Sequence, residues 1–374
     1  VLRDTTSRGG GRNAEIDHNN EFTMAFVHLH THSHYSLLDG LSKIDPLVAR
    51  AKELGMTAMA LTDHGVLYGA IEFYKKATKA GIKPIIGCEL YITDTSRHNK
   101  EPGVDNDKRW HIIVLAENNT GYRNLVKLVT QAHLEGYYYK PRIDFELLRQ
   151  YHEGLIVLSA CLGGQVSQAL LQDNETKARA VVKQYVDILG SGNFFLELQQ
   201  HANMPEQNMV TPRLAKLARD MGVGMVITQD SHYTHAEDAQ AHDVLLAVQT
   251  GNTIHDPGRF TMSQDDFSFQ SEEGVRAKYA NLAPDIVEEA IANTVAIAER
   301  CNVSIELGVL QLPSFPVPEG SGTEAEFLHK LAYDGMKRRF GDNPDPATVE
   351  RLAYELKVIK QTGFENYFLI VQDF

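Results

Sequence analysis

Between Ala25 and about Thr250, short apolar runs alternate with amphipathic stretches of helical period. That alternation limits the possible folds more than any other property of the chain. Phe26–Thr31, Ala58–Thr62, Pro84–Tyr91, Trp110–Ala116, Leu155–Ser159, Asn193–Leu198 and Gly224–Thr228 read as strands. Helices are predicted at Ile44–Gly55, Leu67–Gly81, Thr120–Leu134, Val166–Leu171, Lys177–Leu189, Pro205–Met221 and Ala236–Val248. The first of these opens Asp45-Pro46, a cap followed by proline in the first turn. Repeated strand-then-helix order implies parallel strands. Seven strands over about 220 residues point to an α/β barrel of the TIM type, with an open doubly wound sheet as the alternative.

The flanking regions differ in character. Val1–Thr23 is rich in Gly, Arg, Asn and Asp, and reads as a flexible leader or cloning scar before Met24. Beyond about Thr250, Asn252–Phe269 is turn-rich, and Glu273–Ala280 and Pro284–Cys301 are helical in pattern. Leu312–Gly322 reads as a linker, and helices follow at Glu324–Phe340 and Ala347–Thr362. The last residues, Tyr367–Phe374, are apolar without a cap, as expected of a piece of a longer protein. The expected division is therefore a leader at 1–24, a catalytic domain at 25–270 and a helical segment at 271–374.

A net charge of −13 argues against general affinity for polyanions, but not against a nucleic-acid enzyme whose site is made locally positive by metal ions. Cys88, Cys161 and Cys301 form no Cys-x-x-Cys pair, so neither a disulfide framework nor a zinc ribbon is indicated, and a reducing cytoplasm fits. No apolar run approaches the length of a membrane span.

His28, His30, His32 and His34 occupy alternating positions, and in an extended strand they would share one face. Neutral imidazoles make poor core material but good metal ligands. Other candidate ligands fall at strand ends: Asp63-His64 after the second strand, Glu89 late in the third, Cys161 after the fifth and Asp230-Ser231-His232 after the last. In a parallel barrel these ends open onto one face, where active sites lie. Glu89 is the most telling, because a carboxylate in an apolar strand is costly unless paired or metal-bound. His111 is the exception, placed at the start of its strand. Either that strand runs antiparallel or its boundary lies elsewhere.

The pattern His30-x-His32, Asp39, Thr62-Asp63-His64, Glu89, His111, Cys161 and Asp230-x-His232 resembles that of the PHP (polymerase and histidinol phosphatase) domains. Among these it is similar to the domain at the amino terminus of C-family bacterial replicative DNA polymerases. The stretches that carry the resemblance are His28–Gly40, Leu61–Tyr74, Gly81–Glu89, Gly136–Arg142 and Thr362–Phe374. It implies a distorted (β/α)7 TIM-like barrel, the PHP fold, followed by a mostly helical segment leading into a polymerase palm. It also implies three divalent ions, zinc or manganese, with magnesium possible. His30, His32 and Asp230 would hold one ion, and Glu89 would bridge to a second completed by His111 and Cys161. Asp39, His64 and His232 would hold the third. Small-molecule members commonly have Asp where this chain has His28.

The activity implied is 3′ to 5′ exonuclease action of the proofreading type, with Asp230, Glu89 and His32 as catalytic residues. A DNA 3′ end would be the substrate, the remainder of a polymerase chain and a sliding clamp the partners, and the palm aspartates would lie downstream. The alternatives are a metal-bound structural module and a small-molecule phosphatase of the histidinol phosphate kind. In the tyrosine-rich loop Gly136–Arg142, Lys140 and Arg142 are candidates for holding phosphate oxygens, and Tyr138 with its neighbours Tyr137 and Tyr139 for stacking on bases. A packed aromatic turn is the alternative there. His18, His98, His133, His152, His235, His242, His255 and His329 read as solvated, and His201 as an outsider for the rim of the site.

Overall fold

The computed structural model describes residues 26–103 and 108–374, so the expected leader lies outside the described residues. Seven strands form a single curled sheet: β1 (Ala58–Leu61), β2 (Lys83–Thr93), β3 (Trp110–Ala116), β4 (Arg142–Asp144), β5 (Leu155–Leu158), β6 (Phe194–Leu198) and β7 (Gly224–Ile227). The order is β1-β2-β3-β5-β6-β7, with β4 attached to the outer end of β2. The predicted strands all lie in this sheet or at its seam, whereas β4 was not anticipated.

The pairing departs from the all-parallel expectation at one place. β3 runs antiparallel to both β2 and β5, while the β1–β2, β5–β6 and β6–β7 pairs are parallel. A parallel pairing needs a crossover element, usually a helix. Among the described residues between β2 and β3 there is none. The chain simply returns, and the start of β3 then lies at the same end of the sheet as the finish of its neighbours.

Residues 26–32 close the sheet on itself. On one side Ala60 N–H donates to His28 O (2.8 Å) and Thr62 N–H to Thr31 O (2.9 Å). On the other, His32 N–H donates to Ser231 O (2.8 Å), and Thr31 bridges Ser231 in parallel. The segment is not a regular strand, because a bend at His30 interrupts it. The alternation of side chains therefore fails, and the four histidines do not share one face. His28 packs against Phe26 and Phe269 and bonds the Gln270 carbonyl, while His30 and His32 turn inward. His34 is half-buried against Tyr35.

Alternating residues divide the strands between two cores. Ala58, Ala60, Ile85, Ile113, Leu115, Ile156, Leu158, Phe195 and Val226 pack together inside the curl with Val27 and Leu29. Their neighbours, among them Met59, Leu61, Ile86, Cys88, Leu90 and Val157, pack outward under the helices. One layer along the inner face the character changes from apolar to polar. Ile85 is followed by Glu89 and Tyr91, Phe195 by Glu197, and Ile113 is preceded by His111. The site begins where the inner core ends.

The barrel unit extends to Ile305, further than the expected boundary at 270. The two helices expected after the turn-rich stretch, here Glu272–Lys278 and Pro284–Arg300, belong to it. Ile297, Ala298 and Cys301 complete the inner core, Thr294 Oγ1 accepts from Val27 N–H (3.1 Å), and Asn293 Nδ2 donates to Met225 O (2.8 Å). The second unit, Glu306–Phe374, holds helices Glu324–Phe340, Pro346–Thr362 and Glu365–Asp373. Thr323 and Glu326 cap the first of these reciprocally, and Leu369 alone among the described residues of this unit is fully buried. No helix among the described residues is long and apolar enough to cross a membrane.

Candidate metal centre

Ligand-type side chains converge at the polar end of the inner face in three overlapping groups. His30, His32, Glu89 and Asp230 form one, Glu89, His111 and Cys161 a second, and His32, His64 and His232 a third. Within the first, Glu89 Oε2 lies 2.8 Å from His30 Nε2 and 3.0 Å from His32 Nε2. Asp230 Oδ1 lies 3.1 and 3.2 Å from the same two nitrogens. Glu89 Oε1 faces His111 Nδ1, and Cys161 Sγ is 3.9 Å from that nitrogen. Asp39 joins the third group, with Oδ1 3.1 Å from His64 Nε2 and Oδ2 3.9 Å from His232 Nε2. All nine residues expected from the sequence are thus brought together, His32 lying between the His64 and His232 rings.

Local backbone aims several of these groups. Ala160 and Asp230 adopt left-handed conformations, φ 61° and 53°, at the ends of β5 and β7. For Ala160 that costs about 1 kcal/mol and turns the chain so that Cys161 faces the site. Gly163 gives His111 room, because a Cβ there would sit 3.0 Å from His111 Cγ and press on the ring. The antiparallel course of β3 accounts for His111. At the start of its strand, it still stands at the site's end of the sheet.

Three imidazoles are held in one tautomer by partners behind them. His30 Nδ1–H donates to Glu197 Oε1 (2.7 Å), and His232 Nδ1–H to the Asp230 carbonyl (2.8 Å). His32 Nδ1–H donates to Ser36 Oγ (2.9 Å), whose own proton goes to Asp63 Oδ1 (2.7 Å). In the neutral ring each Nε2 then presents a lone pair to the centre. Two such lone pairs, on His30 and His32, face each other at 3.0 Å with two carboxylates beside them. Asp39 Oδ1, Glu89 Oε1, Asp230 Oδ1 and both His64 nitrogens are buried without a well-formed hydrogen bond, their nearest polar neighbours being the other ligand-type atoms. Buried acceptors in that state are costly unless a cation satisfies them. A donor set of imidazoles, carboxylates and one thiol suits divalent transition ions.

The electrostatics agree. Burial lowers the His30 pKa, but Asp230 and Glu197 outweigh it and raise the group well above its ordinary value. His64 is raised likewise, with Asp39 and Glu89 overcoming burial. Burial opposes ionisation of Asp39, Glu89 and Asp230, yet the surrounding histidines hold all three carboxyls low. Burial pushes the Cys161 thiol up, with Asp230 and Glu89 adding to it. A bound cation would reverse that last effect.

The rim differs from expectation in two ways. Arg142 is fully buried and donates to the carbonyls of Gly136 (3.0 Å), Arg97 (3.1 Å) and Asn99 (2.8 Å), so it ties the loop together and does not face a ligand. Its guanidinium also covers the Tyr138 ring at 5.0 Å, leaving the exposed surface to Tyr137 and Tyr139. Lys140 is half-buried with its ammonium 5.4 Å over Tyr91, whose ring lies 5.1 Å from that of His111. His242, expected to be solvated, is buried and donates to the Asp39 carbonyl (2.6 Å). His201 is buried against Phe267, with Nδ1 3.7 Å from Asp265. Glu197 went unnoticed in the sequence. Its signal was the one that marked Glu89, a carboxylate inside an apolar strand, here Phe-Phe-Leu-Glu-Leu.

Comparison with known proteins gives the same picture. Residues 28–201 match the PHP domain model, and residues 326–374 match the model described as the bacterial DNA polymerase III alpha NTPase domain. The DNA polymerase III alpha subunit of Treponema pallidum is 43% identical over 351 residues, which cover 94% of this chain and 29% of that protein. The Thermus aquaticus subunit is 40% identical over 412 residues, covering 94% and 33%. This chain thus spans about a third of the length of those relatives. Among solved structures, an amidohydrolase from Chromobacterium violaceum aligns with a TM-score of 0.38 at 14% identity, over 73% of this chain and 97% of that one. Residues 28–201 thus belong to the PHP domain family, and the chain as a whole is similar to part of the bacterial DNA polymerase III alpha subunits.

Proposed function

We propose that the barrel is a divalent-metal-dependent phosphodiesterase that removes nucleotides from the 3′ end of a DNA strand. The observation that carries this reading is the set of buried ligand atoms without a well-formed hydrogen bond on Asp39, His64, Glu89 and Asp230, gathered among the imidazoles of His30, His32, His111 and His232. Three ions are proposed: one on His30, His32 and Asp230, one on His111 and Cys161 with Glu89 between them, and one on Asp39, His64 and His232. Zinc suits the thiol and imidazoles, and the carboxylates admit manganese or magnesium. Ions held there would supply Lewis-acid stabilisation of developing charge and activation of water at neutral pH.

The protein's own part is to orient and to exclude. Glu197 and Ser36 hold the rings of His30 and His32, and the apolar floor of Ile85, Ile113 and Val226 keeps solvent from below. Asp230, Glu89 and His32 are the proposed catalytic residues, because all three touch the shared centre of the first group. Lys140 and the tyrosines of its loop are proposed to meet the substrate, and the remainder of a replicative polymerase and its clamp are the proposed partners.

The test is a time course on a 3′-mismatched primer with added manganese or zinc, beside metal analysis. Wild type should shorten the primer and carry stoichiometric metal, whereas Asp230→Asn should keep its helicity and lose activity. Equal degradation by both proteins would defeat the nuclease assignment. One observation favours a second reading, in which bound metal chiefly staples the barrel. His30 and His32 lie on one side of the seam, Asp230 and His232 on the other. Under that reading chelation would lower the melting temperature, and no phosphoester would be cut.

A further inference from the structure

We infer that Arg109 and Lys140 form a phosphodiester-binding subsite beside the metal centre, at the edge where β2 and β3 meet. It would take an internal phosphate of a nucleic-acid strand rather than a terminal monoester. The inference rests on the phosphodiesterase reading above and adds what selects the substrate.

Arg109 immediately precedes β3, two residues before His111, and its place beside the site is fixed by the tyrosine loop that its guanidinium covers. Tyr91 lies opposite His111 in the ladder and shares its face with Glu89. The inner face thus runs outward from Glu89 and His111 to Tyr91. The tyrosine loop covers that end: the Arg109 guanidinium lies 5.3 Å over the Tyr139 ring, and the Lys140 ammonium 5.4 Å over Tyr91.

Both cations lack a carboxylate partner among the described residues, and Arg109 Nη1 is buried with no hydrogen bond. Arg97, Arg213, Arg219, Arg259 and Arg300 all pair with an Asp or Glu. An arginine parked on an aromatic face with a free, desolvated N–H is set to donate to an anion, and its planar fork matches phosphate. Tyr139 and Tyr137 are 70% and 53% exposed, and offer flat surfaces next to the two cations. Alternating cation and aromatic surface is the chemistry of single-strand binding. A small phosphomonoester has no second phosphate to place there.

The experiment measures anisotropy of a dye-labelled oligodeoxythymidylate against salt, together with hydrolysis of bis(p-nitrophenyl) phosphate, using the whole chain. Arg109→Ala and Lys140→Ala should each weaken oligonucleotide binding several-fold and reduce the slope of log affinity against log salt by about 0.7. Arg109→Ala should leave turnover of the small diester unchanged, and Arg109→Lys should retain most of the slope. Unchanged affinity and slope in both alanine variants, with melting temperatures like wild type, overturn the subsite. Absence of measurable binding by wild type at low salt overturns it too. If wild type cuts neither substrate but the alanine variants still lose slope, the subsite stands and the nuclease reading fails.

Discussion

Replacing Glu197 by glutamine should weaken metal binding about tenfold without unfolding the barrel. The carboxylate is fully buried and accepts at Oε1 from His30 Nδ1–H (2.7 Å) and Gln199 Nε2–H (2.9 Å), and the Thr228 hydroxyl donates there too. Glutamine keeps the volume and an acceptor oxygen, so the ring can stay where it is. What is lost is the charge. A hydrogen bond to a charged group contributes about 1.5–3 kcal/mol, and a neutral one about half to 1.5. The difference, about 1–1.5 kcal/mol, falls on the orientation and basicity of His30 and corresponds to roughly a factor of ten. Loss of a partner behind a ligating histidine commonly costs about 10–100-fold in metal affinity. The assay is competition for zinc against a chromophoric chelator, with circular dichroism on the same samples. A dissociation constant within twofold of wild type in a folded variant would refute the claim that Glu197 sets His30.

Three further outcomes are expected. Cys161 is partly exposed, whereas Cys88 and Cys301 are buried, so an alkylating reagent should reach that thiol alone in the metal-free chain, slowly because burial and the neighbouring carboxylates raise its pKa, and prior addition of zinc should protect it. Mass spectrometry of the peptides decides this. Arg142→Ala strips side-chain donors from two buried carbonyls, Gly136 and Arg97, and from the partly buried one of Asn99, and should cost about 2 kcal/mol or more, read by urea denaturation. Lys140→Ala, on the same loop, should leave stability within about half a kcal/mol. Burial pushes the Cys301 thiol up to about 12 from an ordinary 9.0, so the folded chain keeps a proton that the unfolded chain releases. Its contribution is complete below pH 9.0 and is lost as pH rises towards 12, about 2 kcal/mol having gone by about pH 10.5. Urea melts of wild type and Cys301→Ala should therefore converge between pH 8 and about 10.5, and parallel pH profiles would contradict the assignment.

Much of the barrel was legible because its strands are short apolar runs bounded by helices of clear period. The strands around Ile85, Ile113, Ile156 and Val226 needed no knowledge of pairing. Direction did require it. Nothing in Trp110–Ala116 distinguishes a parallel from an antiparallel strand, and only the misplaced His111 hinted at the answer. The row of four histidines misled because period-two reasoning presumes a continuous ladder, and the bend at His30 breaks it. Eight of the nine ligand-type residues were readable by chemical type and position, and Asp39 entered only through the resemblance to PHP domains. Their supports were not, because Ser36, Asp63 and Glu197 act through hydrogen bonds that form only once distant segments meet. Arg142 and His242 were misread for a related reason. A charged or polar side chain reads as free for solvent or for a ligand until its buried acceptors are known. The helix Pro284–Arg300 was assigned outside the barrel because a turn-rich stretch precedes it, although its apolar residues complete the inner core.

The seam at Thr31 and Ser231 carries a consequence for the birth of the molecule. His32 leaves the ribosome 198 residues before Asp230, which at about 5–20 residues per second is a delay of about 10–40 s. Throughout that interval the young sheet has two unpaired edges, each able to recruit a strand from another nascent chain. The ladder that joins them has the greatest sequence separation of the barrel's pairings, and contacts of that kind form late. The first group of ligand atoms is incomplete until the edges meet, so metal uptake timed against synthesis would report when the barrel shuts, and a chain released early would remain both open and metal-poor.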